Sequence, residues 1–199
     1  MDIYLFKILK TPVHVLGEME TMELERKMKD SGNNKHLTSI IDFNLSDIKY
    51  VAMDMITVEG KDVYSDDKTL SVMTFPDFID WINEYDNGTF YMGWNCEWYD
   101  IPHIKYEIIK KGLVIPKKCN LLDIRKYQDY PVYDLKEKLF SYGYSSSMLL
   151  TLNGLGIDYK YFDYKKMFEQ NDDNLYVEYI MEYIKNIKNI FIKAKGVLI

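Results

Sequence analysis

The run IKYVAMDMITVEGKDVYS, Ile48 to Ser65, constrains what this chain can fold into more than any other stretch. Two segments rich in β-branched and other apolar residues flank the pair Glu59-Gly60, so the run reads as two strands joined by a tight turn. A lone hairpin is only marginally stable in water, and other elements must cover it. The chain supplies them in order. TLSVMTF extends the second strand, and PDFIDWINEY then sets Phe78, Ile79, Trp81 and Ile82 at helical spacing, with Pro76 in the first turn. GTFYMGWN, flanked by Asn87-Gly88, is the next strand and ends at Gly93. IPHIKYEIIKKGL is a helix with Pro102 in its first turn, an apolar stripe of Ile104, Ile108 and Ile109, and Gly112 as its stop. A short strand is expected around CNLLDI. NLYVEYIMEYIKNIKNIFIKAKG is a long helix ending at Gly196, with Val177, Ile180, Ile184, Ile187 and Ile190 on one side. This order predicts the α/β class, a mixed sheet flanked by helices.

The chain has 199 residues, 47% of them hydrophobic, which suits a globular protein with a sizeable core. No apolar run reaches the roughly 20 residues of a membrane span. The start, MDIYLFKILK, lacks the long apolar centre and small-residue exit of a cleavable signal, so a cytoplasmic protein is expected. Cys96 and Cys119 are too few for a disulfide framework and are expected as small buried residues. A net charge of −6 argues against a grip on nucleic acid by bulk charge. It leaves room for phosphodiester chemistry, in which clustered carboxylates attract phosphate through bound divalent metal. Lysines cluster at Lys105, Lys110, Lys111, Lys117 and Lys118, and again at Lys185, Lys188, Lys193 and Lys195; both sets read as solvated helix faces. The polar region from Met22 to Ser46 holds KDSGNNKH, expected as a loop. The abundance of Lys, Ile, Asn and Tyr has the flavour of a phage or other mobile element.

The stretch GWNCEWYDIPHI resembles the second exonuclease motif in the proofreading domains of family B DNA polymerases. There a strand ends in Gly-aromatic-Asn, and an aspartate precedes a helix through an apolar-Pro step. Gly93, Trp94, Asn95, Tyr99, Asp100, Pro102 and Ile104 carry the match. The resemblance implies a ribonuclease H-like, DnaQ-like 3′–5′ exonuclease domain over residues 1–199. Such domains hold two divalent metals about 4 Å apart with four acidic residues in the pattern Asp-x-Glu, Asp and Asp. Magnesium prefers oxygen ligands, so the resemblance implies Mg2+ or Mn2+ as cofactor.

Carried over residue by residue, the motif set is incomplete. For the first motif two registers stay open. GEMET would supply Glu18 and Glu20 as metal ligands, with Thr21 following, from a first strand PVHVLGEME that precedes the hairpin. AMDMIT would supply Asp54, with Ile56 where a glutamate belongs. Asp100 is the second-motif ligand, although an aspartate ahead of a Pro-containing first turn is also a common helix N-cap. In the last motif Tyr179 fits the water-orienting tyrosine, but Tyr183 stands where the aspartate belongs. Glu182 is the adjacent acid, turned about 100° around the helix. The catalytic set is thus Asp100, Glu18, Glu20 and Tyr179, with Glu182 and Asp54 as further metal candidates. Trp94, Asn95, Trp98 and Tyr99 are candidate nucleic-acid contacts, since aromatics beside a groove stack on unpaired bases; core packing is their commoner fate. The GYSSS turn offers hydroxyls to a phosphate, and His103 reads as a partly exposed helix residue.

Two functions compete. One is a metal-dependent 3′–5′ exonuclease acting on single-stranded DNA or RNA ends, with a polymerase or other replication protein as partner. The other is a pseudo-nuclease that keeps the fold and binds nucleic acid or protein without cleaving. A third reading is an unrelated α/β binding module.

Overall fold

A computed structural model describes residues 1–12, 46–86, 88–115, 119–122, 131–140, 146–163, 167 and 170–198. Glu18, Glu20 and Thr21 lie outside the described residues, as do the strand PVHVLGEME beyond Pro12 and the KDSGNNKH loop.

The centre of the sheet is β1 (Asp2–Pro12), which pairs antiparallel with β2 (Ser46–Glu59) along nearly its whole length. β2 turns at Gly60, whose φ of 58° suits glycine, into β3 (Asp62–Ser65). After a 3-10 turn at Asp67–Thr69, β4 (Ser71–Thr74) returns to pair with the earlier half of β2. TLSVMTF is therefore a separate strand and not an extension of β3, because that 3-10 turn breaks the run. Thr74 caps the helix α1 (Phe75–Tyr85), accepting from the Asp77 N–H and donating to its carboxylate. β5 (Phe90–Gly93) and β6 (Val132–Asp134) add in parallel on the other side of β1, so the order is β3-β2-β1-β5-β6 with β4 also on β2. The sheet is mixed and flanked by helices, as the order of elements predicted.

Alternation along β1 sorts the two faces. Ile3, Leu5 and Leu9 point into one core with Ala52 and Ile56, covered by the long helix α5 (Asp173–Leu198) through Tyr176, Ile180, Ile184, Ile187 and Phe191. Phe6 and Ile8 point into the other with Val51 and Met53, covered by α1 and by α2 (Asp100–Lys111). Two short helices, α3 (Leu135–Phe140) and α4 (Met148–Gly154), pack on the α5 side. No helix among the described residues is long and apolar enough to cross a membrane.

Several details differ from the sequence reading. Residues 119–122 form a turn, not a strand; Leu121 and Leu122 are apolar because they are buried. The buried stripe of α2 is Ile101, Ile104 and Ile108, while Ile109 is 77% exposed. His103 is buried rather than partly exposed, stacked on the Tyr99 ring with Nδ1 2.6 Å from the Tyr99 carbonyl. Lys188 does not belong to a solvated face: it is buried, 3.1 Å from the Asp54 carboxylate. α5 runs past Gly196 to Leu198; a glycine near a helix end costs only about 1 kcal/mol. Cys96 and Cys119 are both buried and unbridged, as expected.

Candidate functional site

β1, the turn after β5, and α5 converge on one cleft. β1 brings Lys7, whose place in the alternation aims it at the α5 side among Leu5 and Leu9. β5 ends at Gly93, where a Cβ would sit 2.5 Å from that of Cys96, so only glycine lets the chain fold back this tightly. Asn95 follows with φ 57°, a left-handed conformation that asparagine tolerates better than most residues. The turn is held by Asp134 at the end of β6. Its Oδ1 accepts from the N–H groups of Asn95 at 2.9 Å and Lys136 at 3.1 Å, and its Oδ2 from that of Glu97 at 3.1 Å. One carboxylate thereby orients both the motif turn and the start of α3.

Asp100 opens α2 and is fully buried. It does not cap its helix. Its Oδ1 lies 2.8 Å from Lys7 Nζ and accepts from the Ile8 N–H at 3.1 Å, and its Oδ2 accepts from Lys7 Nζ at 3.0 Å. The ammonium also sits 4.7 Å from the centre of the Tyr99 ring and 4.9 Å from that of Tyr183. Burial alone would lower the Lys7 pKa, but Asp100, then Tyr183, overcome this and hold it above its ordinary value. Burial pushes the Asp100 carboxyl up, against the pull of Lys7 and the Ile8 N–H.

The other expected residues fall into two groups. Trp94, Asn95, Tyr99, Tyr179 and Tyr183 all line a cleft of about 470 Å3, together with Lys7, Lys10, Lys136, Ser146 and Ser147. Ser146 and Ser147 belong to the GYSSS turn, of which residues 143–145 lie outside the described set. Lys136 reaches across to donate to Asn95 Oδ1 at 3.2 Å. Trp98 stands apart, 65% exposed and donating from Nε1 to Glu137. Glu182 lines an adjoining cavity and not this cleft. Asp54 lies on β2, fully buried, with Oδ1 accepting from Thr69 Oγ1 at 2.6 Å and the Met55 N–H at 3.0 Å, and with Lys188 beside Oδ2.

Magnesium or manganese asks for several carboxylate oxygens around one point. No group of three or more His, Cys, Asp or Glu among the described residues could hold a metal ion. Among the described residues the cleft is lined by three lysines and no carboxylate, and Asp100 behind it is already neutralised by the Lys7 ammonium. The donor set among the described residues does not fit a divalent cation. It fits an anion, with aromatic rings beside it.

Sequence reasoning passed over Lys7, Asp134 and Lys136. Asp134 had a legible signal, an aspartate directly before the apolar-charged run LKEKLF, which is an N-cap pattern. Lys7 had a fainter one: it is the sole charged residue of IYLFKIL, where alternation places it among buried positions.

No protein-family model matches the chain, and no curated protein matches it in sequence. Among solved structures it is similar to the family B DNA polymerase from the hyperthermophilic archaeon Pyrobaculum calidifontis, with a TM-score of 0.54 and 13% identity. The match covers 99% of this chain and 24% of that one, so the chain spans about a quarter of the polymerase's length. At this identity the likeness concerns the fold alone.

Proposed function

We propose that the chain is a nuclease-shaped binding protein: a ribonuclease H-like, DnaQ-like domain that holds single-stranded nucleic acid and does not cleave it. The observation that carries this reading is the buried pair of Lys7 and Asp100, 2.8 Å apart, at the point where the exonuclease motif would deliver a metal ligand. The Lys7 ammonium stands where a metal would otherwise meet Asp100 and neutralises that carboxylate. It activates no water, having no open coordination position, so the cleft is left to bind. Lys10 and Lys136 extend the cationic lining, Ser146 and Ser147 line it with hydroxyls, and the partly exposed Tyr99 and Tyr183 give rings for bases, with Trp94 and Tyr179 packed beside them. The polymerase likeness supports a setting in replication, with a polymerase or other replication protein as partner.

The test pairs two measurements on the intact chain. A labelled single-stranded oligonucleotide should bind in a fluorescence anisotropy titration, and should keep its full length on incubation with Mn2+. Shortening from the 3′ end that disappears in Asp100→Ala would overturn the reading in favour of an active exonuclease built with Glu18 and Glu20. Absence of any binding would defeat both.

A further inference from the structure

Behind the cleft lies a second cavity of about 240 Å3, which shares Trp94, Ser147, Tyr179 and Tyr183 with it. Phe162 and Tyr161 complete an aromatic wall, with the Phe162 ring edge-on to Tyr179 at 5.4 Å. Besides Ser147 and Lys160, the polar groups come from one stripe of α5, where Tyr179, Glu182, Tyr183 and Asn186 follow the i, i+3, i+4, i+7 spacing of a single helix face. Asn186 is 6% exposed, and its Oδ1 is buried with no hydrogen-bond partner among the described residues. Glu182 makes no ion pair or hydrogen bond among the described residues either, and its carboxylate belongs to the same cavity. A buried amide oxygen without a partner is costly, and natural structures retain one chiefly where something else completes it.

The space is smaller than the roughly 300–1,000 Å3 of sites for drug-sized ligands, which fits one ring system and no more. Aromatic walls select a flat one. A carboxylate only accepts hydrogen bonds, while an amide both donates and accepts. Among the bases of a strand, guanine alone presents two adjacent N–H donors for a carboxylate and, beside them, a second amine hydrogen for the orphaned amide oxygen of Asn186. Adenine and cytosine would set a bare ring nitrogen against the Glu182 oxygens. Thymine and uracil have a single N–H between two carbonyls.

The geometry points to a guanine-reading pocket: Glu182 accepts from the ring N–H and exocyclic amine of one unstacked guanine, and Asn186 Oδ1 accepts the second amine hydrogen, with the strand in the adjoining cleft. This rests on the binding function proposed above and adds base preference to it.

The test is an anisotropy titration of the intact chain with a short oligo(dT) and with the same strand carrying one central dG, dA, dC or deoxyinosine. The dG strand should bind about tenfold tighter than oligo(dT), and deoxyinosine, which lacks the exocyclic amine, should lose most of that gain. Glu182→Gln and Asn186→Leu, each shown to be folded by its melting transition, should bring the dG-to-dT ratio close to one. Equal affinity for every strand would overturn the pocket and leave the binding function standing. A preference for dA or dC would overturn the guanine assignment. Failure of every strand to bind would overturn both.

Discussion

A lysine whose partner carboxylate is fully buried carries a charge that neither residue can lose without cost. Lys7 is 7% exposed and Asp100 0%, and both Asp100 oxygens are engaged. Taking away one partner leaves a charge in a low-dielectric interior, whereas removing both together avoids that penalty. Lys7→Met should therefore destabilise the protein by about 3–5 kcal/mol, and Lys7→Met combined with Asp100→Leu should recover most of the loss, as read from urea denaturation midpoints. A double variant no more stable than the single one would mean that the pair contributes through packing. Lys7 also shows what the sequence hides at this scale. A search for metal ligands looks for acids, and the group that answers Asp100 is a base 93 positions away. Asp100 itself was legible because its surroundings, from Gly93 to Ile104, are local in the chain.

The turn between β5 and α2 is the element that sets the site, and two of its residues give separate predictions. Gly93→Ala would press a Cβ to 2.5 Å from the Cys96 Cβ and 2.9 Å from its Sγ. Cys96 is fully buried and has nowhere to move, so the turn must shift. A loss of about 1–3 kcal/mol is expected from a thermal melt, together with weaker oligonucleotide binding because Trp94 and Asn95 move with the turn. Glu97 faces a different strain. Burial, then Glu137 and Asp134, push its carboxyl up to about 7. A folded value above the unfolded one means that the native state binds the proton more tightly. Stability is then greatest below the unfolded value near pH 4 and declines as pH rises through 7. Glu97 is partly exposed, so solvent screening leaves roughly 1 kcal/mol or less of this effect. Glu97→Gln should raise stability by about that amount at pH 8 and change nothing at pH 4, compared by denaturant melts at the two pH values. Elements were legible where one period repeated: α1 and α5 followed their apolar stripes, and Gly112 ended α2 with a φ of 61°. CNLLDI was too short for periodicity to separate a buried turn from a strand. β1 was obscured because it is buried on both faces and reads as apolar almost throughout.

At the scale of the whole molecule, the central strand holds the site together. β1 pairs with β2 on one side and β5 on the other, and its alternation sends Lys7 toward α5 while its backbone meets Asp100 through the Ile8 N–H. The class of mixed sheet and helices followed from element order. Which strand would be central did not, since strand pairing is decided by packing between segments far apart in the chain. The same architecture reconciles an acidic protein with the anionic ligand proposed for it. The net charge is −6, yet the cleft is lined by Lys7, Lys10 and Lys136 and by no acid among the described residues, so attraction for phosphate is local. That distinction can be measured. Each lysine that neutralises a phosphate on a single strand contributes about −0.7 to the slope of log affinity against log salt. Lys7 is largely spent on Asp100, so a slope near −1.4, from about two phosphate contacts, is expected. Between 50 and 200 mM salt such a slope weakens binding about sevenfold. Lys136→Ala should bring the slope to about −0.7 and lower affinity most at low salt. The far steeper slopes of proteins that grip the backbone with six or more cations would place the strand outside this cleft. A slope of zero would leave the aromatic rings as the whole of the binding surface.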